Sequence, residues 1–188
     1  MTLFYWIFAG SVICWILFEI WVNLRDKGKL DNSRDKKTKR LVIACIIFAI
    51  FIGNIFSNIP FLLMPLSNSL RFIFGTLIVW SGLLLRFWSI RVLGEYFRTT
   101  VMIQKDHQVV KAGPYRLIRH PSYAAGLIII IGISLAMGSW IGLLLMFLLV
   151  AIAYQKRIAV EESELLKSLG KEYLDYMKST KRLIPFIY

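Results

Sequence analysis

Four stretches of this chain are apolar for longer than a soluble fold of its size would allow. Residues 2–24 form a run of about 23 residues, which as a helix rises roughly 34 Å, enough to cross a hydrocarbon core of about 30 Å. Residues 41–66 and 70–93 read as a second and a third span, the second disturbed near its far end by Asn54, Ser57, Asn58, Pro60 and Pro65. The block at 122–154 is too long for one crossing and short for two, but Gly138-Ser139 stands near its middle. It reads as a tight helical hairpin of two shortish spans. The expected fold is therefore an all-α integral membrane protein with about five transmembrane helices.

Composition agrees. Hydrophobic residues make up 57% and charged residues 18%, against the 45–50% and about 25% usual in soluble domains, and mean hydropathy is +0.64. Intrinsic disorder is excluded on the same ground. The first run is a poor signal peptide, being too long, without a basic leader, and ending in charge rather than at small residues. Cys14 and Cys45 both fall inside apolar runs and are expected to be buried, reduced thiols. With only two cysteines and two histidines, no zinc or cluster spacing exists and no metal is expected.

The net charge of +12, from 23 Lys+Arg against 11 Asp+Glu, sits almost wholly in three polar segments. These are 25–40 (RDKGKLDNSRDKKTKR), 94–121 and the tail beyond 155, whereas only Arg71 lies near a span end on the other side. Lys and Arg are retained in cytoplasmic loops, so five crossings put the N-terminus outside and the C-terminus in the cytoplasm. A basic soluble module is missing, so nucleic acid is not an expected partner; the lipid bilayer is. Beyond the last span, 156–178 places Ile158, Leu165, Leu166, Leu169, Tyr173 and Tyr176 on one helical stripe, with Gly170 as a bend or break. The final membrane helix is expected to run on as a cytoplasmic, amphipathic arm.

Two places could carry chemistry. In the loop before the hairpin, Gly113-Pro114 reads as a turn that aims Tyr115, and Pro121 holds His120 out of the helix it begins. Histidine, tyrosine and glutamine side chains would then meet the amides of a helix N-terminus, which attracts anions. A basic interfacial loop anchored on head groups is the plainer reading of the same residues. At the cytoplasmic end of the fifth span, Arg157, Glu161, Glu162 and Glu164 cluster, with Arg157 and Glu161 one turn apart on a shared face. They read either as surface ion pairs of little energetic value or as the facing wall of a pocket, because a hairpin returns the chain to the side it left. Glu19, Arg86 and Arg91 are ionisable groups within or near spans, and a Glu19–Arg86 pair would sit at matching depth. No nucleophile–base pair, phosphate-cradling glycine loop or dinucleotide fingerprint is present.

The segments VVKAGPYRLIRHPSY (109–123), Arg157-xxx-Glu161-Glu162 and LGKEYLDYMK (169–178) resemble the isoprenylcysteine carboxyl methyltransferase family, within the membrane methyltransferases that include phospholipid methyltransferases. The resemblance covers roughly 97–185 and divides the chain into a three-span region, 1–93, and a catalytic region, 94–188. It implies a cytoplasm-facing pocket for S-adenosyl-L-methionine lined by Gln104, His107, Gln108, Val109, Val110, Tyr115, His120, Pro121, Ser122, Tyr123 and Glu161. Arg157 would orient the carboxylate of a lipophilic or lipidated acceptor. Relatives that methylate a phospholipid amine or a thiol, and sterol-type reductases that use NADPH, are the alternatives within the same resemblance.

Overall fold

The computed structural model describes residues 2–25, 33–97 and 109–187. Those residues form six α-helices: α1 (Thr2–Arg25), α2 (Ser33–Phe56), α3 (Asn68–Leu93), α4 (Pro121–Met137), α5 (Trp140–Leu169) and α6 (Lys171–Ser179). Helices α1, α2, α3 and α5 are long and apolar enough to cross a membrane. Helix α4 has 17 residues and rises only about 25 Å.

The boundaries differ most from expectation at α2. It begins at Ser33, inside the basic block, and stops at Phe56 instead of reaching 66. Beyond it, the Asn54 carbonyl is taken by the Ser57 hydroxyl and the Asn58 amide, each at 2.7 Å, and Pro60 opens a single 3-10 turn. Local side-chain bonds of this kind compete with the helix ladder. The freed segment instead meets the hairpin turn, where the Met64 amide donates to the Gly138 carbonyl at 2.8 Å.

The hairpin forms where glycine permits it. Gly138 caps α4 at φ +77°, a left-handed conformation that costs glycine little, and the Ser139 hydroxyl accepts from the Gly142 amide to start α5. Helix α5 then runs unbroken for 30 residues, well past its apolar part, until Gly170 at φ +54° ends it and α6 turns away.

Apart from α1 and α2, whose apolar side chains are largely exposed, the core lies between α3, α4 and α5 around Val79, Ile129, Ile130, Met146, Val150 and Ile158. An apolar exterior of this kind suits lipid rather than water. Cys14 is exposed on α1 and Cys45 half-buried on α2, so the expectation that both thiols are buried fails. Each sits on a helix that turns most of its surface outward.

Between α3 and α4 the backbones touch. A methyl on Gly132 would lie 2.8 Å from the Gly75 carbonyl oxygen, and one on Gly75 would lie 2.8 Å from the Gly132 carbonyl. Without a strong hydrophobic drive between helices in lipid, close approach of small residues supplies the packing energy. Gly132→Val is therefore expected to destabilise the fold by about 1–3 kcal/mol, read as a lower unfolding midpoint in detergent. Gly10→Ala, where a methyl meets open space, is the control that should leave the midpoint in place.

Candidate active site

The loop leading into α4 is held by both of its ends. Gly113, at φ +54°, opens a 3-10 turn that buries Pro114 and Tyr115. Five residues on, the chain pairs with the segment after α6. The Arg119 amide donates to the Lys181 carbonyl at 2.7 Å and the His120 amide to the Arg182 carbonyl at 3.0 Å. His120 then stands just outside the helix, and Pro121 occupies the first helical position, where a missing N–H costs nothing.

This places the His120 ring, itself buried, between two carboxylates of α5. Nε2 lies 3.2 Å from Glu162 Oε1, and Nδ1 lies 3.8 Å from Glu161 Oε1. An ionised carboxylate only accepts, so the Glu162 contact requires the proton on Nε2 and leaves Nδ1 facing Glu161. Glu162 is also gripped by Arg119 Nε at 3.0 Å and Arg182 Nη2 at 2.7 Å. Arg119 reaches onward to the carbonyls of Met177 and Thr180. One buried acid thus ties the loop, α5 and the tail together.

Glu161 faces the other way. Its Oε2 accepts from the Tyr123 hydroxyl at 2.8 Å, and its side chain keeps 30% exposure. Arg157, one turn earlier, is 6% exposed and donates from Nη1 to Thr38 Oγ1 of α2 at 3.1 Å. Arg86 of α3 is ion-paired with Glu19 of α1, and its Nη1 also donates to the Ser122 hydroxyl at 2.6 Å.

These groups surround one cavity of about 650 Å³. Tyr115, His120, Ser122, Tyr123, Arg157 and Glu161 line it, and so do Val109 and Val110. Burial, helped by the Glu161 charge, pushes the Tyr115 phenol well above its ordinary pKa, so it remains a donor. Gln104, His107 and Gln108 lie outside the described residues. Pro121 is buried at the first turn of α4, next to the lining residues His120 and Ser122.

Sequence reasoning missed three features. The first is the opposite wall, formed by Ile16, Ile20 and Leu24 of α1 with Val42, Ile43 and Ile46 of α2. Those residues look like any lipid-facing stripe. The second is the clamp on Glu162, whose partners Arg119 and Arg182 lie 43 and 20 residues away. The third is Tyr173 of α6, which also lines the cavity; its signals were its place on the apolar stripe and within the segment 169–178 that carries the resemblance. Together the cavity has one polar end, with acids, guanidinium groups and phenols, and one mostly apolar flank to which α1 and α2 also bring Glu19, Asn23 and Lys39.

Comparison with known proteins places this arrangement. The model of the isoprenylcysteine carboxyl methyltransferase (ICMT) family matches residues 74–167, from the middle of α3 to the end of α5. Protein-S-isoprenylcysteine O-methyltransferase of Schizosaccharomyces pombe is 32% identical over 109 residues, covering 50% of this chain and 46% of its own. The Saccharomyces cerevisiae enzyme of the same name is 30% identical over 135 residues, 71% of this chain and 56% of its own. The chain spans about half the length of the curated relatives it matches. Its fold superposes on the solved structure of a eukaryotic intramembrane Ras methyltransferase, isoprenylcysteine carboxyl methyltransferase, with a TM-score of 0.68 and 27% identity over 96% of this chain and 67% of that one. The chain is a multi-pass integral membrane protein, with four long apolar helices and a shorter one. By the match of that family model across half its length, it belongs to the isoprenylcysteine carboxyl methyltransferase family.

Proposed function

We propose that this chain is an S-adenosyl-L-methionine-dependent methyltransferase that O-methylates a carboxylate on a lipophilic, isoprenylcysteine-like acceptor. The observation that carries the reading is the two-sided cavity, with Arg157, Glu161, His120 and Tyr123 at one end and the apolar flank of α1 and α2 at the other. The polar end fits the donor. Glu161 is part-exposed and can accept from hydroxyl or amino groups, and the buried Tyr173 hydroxyl has no hydrogen-bond partner among the described residues. Tyr115, His120, Pro121, Ser122, Tyr123, Val109, Val110 and Glu161 would hold the donor, with Gln104, His107 and Gln108 completing the set. Bound there, S-adenosyl-L-methionine would supply an electrophilic methyl group.

The protein's own task is then alignment. A carboxylate acceptor with a reference pKa near 3.5 is already ionised at neutral pH and requires no general base. Fixing its oxygen in line with the methyl is the proximity effect, worth several kcal/mol. The Arg157 guanidinium can grip the carboxylate with a two-pronged fork that lysine lacks. The lipid part of the acceptor would lie along α1 and α2, entering from the bilayer. An amine acceptor must lose a proton, and a cation at position 157 opposes the charged amine. An NADPH-dependent reductase would bring an extra phosphate toward Glu161.

In this reading the chain crosses five times, with the short α4 as the fourth span, an outside N-terminus and a cytoplasmic C-terminus. Region 94–188 carries the donor site and 1–93 supplies most of the acceptor wall. Titration calorimetry on detergent-purified protein is expected to give micromolar binding of S-adenosyl-L-methionine, about −8 kcal/mol. Binding of NADPH without S-adenosyl-L-methionine would overturn the class.

A further inference from the structure

Helix α6 carries a polar atom without a task. Tyr173 is 3% exposed and lines the cavity, and its hydroxyl is buried with no hydrogen-bond partner among the described residues. Buried polar atoms in native proteins are nearly always satisfied, so such an exception calls for a partner that binds there. Its neighbour makes the contrast. The Tyr176 ring lies 5.9 Å away, and its hydroxyl is spent, donating to the Tyr115 carbonyl at 2.7 Å.

The surroundings narrow the partner's chemistry. Burial, followed by the nearby Glu162 and Glu161 carboxylates, pushes the Tyr173 phenol far above its ordinary pKa, so it stays a proton donor. The same two acids make the spot hostile to a further carboxylate and suit an uncharged acceptor atom. Tyr115, Tyr176, Leu165 and Leu169 share the cavity lining, giving apolar and aromatic surface for a flat ring. A donor built on adenosine offers one such group, a purine with unprotonated ring nitrogens.

We propose that the Tyr173 hydroxyl donates a hydrogen bond to a purine ring nitrogen of the bound methyl donor, which makes α6 a wall of the donor pocket. The proposal rests on the methyltransferase reading. It also gives the break at Gly170 a purpose: a straight continuation of α5 would carry residue 173 further along the α5 axis, whereas the turn at φ +54° sets α6 against the cavity.

The test is calorimetry on the full-length, detergent-purified protein and its Tyr173→Phe variant. The ligands are S-adenosylhomocysteine and its 1-deaza, 3-deaza and 7-deaza adenine analogues. The variant should bind S-adenosylhomocysteine roughly tenfold more weakly, the loss expected when a buried acceptor is left unpaired. For one deaza analogue, variant and wild type should bind alike, because the nitrogen that Tyr173 addresses is already gone. The unfolding midpoint without ligand should not change. Equal S-adenosylhomocysteine affinity in the two proteins overturns the proposal. So does a tenfold loss that persists with all three analogues, or a lower ligand-free midpoint with unchanged affinity, which would mean that the protein itself satisfies the hydroxyl. Failure of the wild type to bind any of these ligands would overturn the methyltransferase reading, and the proposal with it.

Discussion

Arg157→Ala should lower kcat/KM for a carboxylate acceptor by about a hundred- to a thousand-fold, while the Kd for the methyl donor stays within about twofold. The guanidinium is 6% exposed, lines the cavity one helical turn from Glu161, and is steadied by Thr38 of α2. A cation placed there is worth far more than one in water, because little solvent screens it. Arg157→Lys keeps the charge and loses the fork, so its activity should fall between the two. Measuring kcat/KM and donor Kd on all three proteins, with unfolding midpoints as the control for folding, checks the assignment. If the alanine variant turned over a carboxylate acceptor at the wild-type rate, another group would have to position the acceptor.

Much of the architecture was readable because lipid imposes few solutions. A run such as 2–24 has to be helical, since every backbone amide in a hydrocarbon core needs an internal partner. That argument placed α1 and α3 to within about two residues. It failed at α2, where apolarity continued to 66 but Asn54, Ser57 and Asn58 offered the backbone other partners. Within 57–66, Met64 is buried and bonded to the hairpin turn while Phe61, Leu63 and Leu66 stay exposed, so the apolar run there does not mark a spanning helix. Hydropathy alone cannot separate those cases.

The site was legible in its local half. Gly113, Pro114, His120 and Pro121 fix backbone conformations that act within a few residues, so the turn and the helix start could be read directly. The Arg157–Glu161 face followed from helical spacing. What could not be read was anything closed over long sequence distance. The pairing of 118–120 with 181–182 uses backbone groups, which leave no residue signature. Glu162 differs from Glu161 by one position, about 100° around α5, and that rotation alone sends one acid to the cavity and the other to the clamp. The apolar wall of α1 and α2 was hidden by composition, since a substrate-facing isoleucine and a lipid-facing one are the same residue.

Glu162→Ala should be the most destabilising single change in the half of the molecule that holds the candidate site, at about 3–5 kcal/mol. The side chain is 4% exposed, and Arg119 and Arg182 bond it at 2.7–3.0 Å while His120 lies at 3.2 Å. Removing the acid leaves Arg119, itself 8% exposed, without its carboxylate, and burying an uncompensated charge costs several times what a surface pair contributes. Exposed pairs such as Lys167–Glu164 and Lys178–Asp175 are the comparison, worth less than about 1 kcal/mol each. The loss should also be local in a way that proteolysis detects. Arg119 holds the carbonyls of Met177 and Thr180, so freeing it loosens the tail from the His120 loop and exposes 180–187 to cleavage. Glu161→Ala, on the part-exposed acid, should leave the unfolding midpoint nearly unchanged and act on donor binding instead. Two neighbouring glutamates would then separate cleanly, one by thermal unfolding and the other by ligand affinity. An unfolding midpoint for Glu162→Ala equal to that of the wild type would mean that the three side chains find other partners, and that the clamp does not hold the loop.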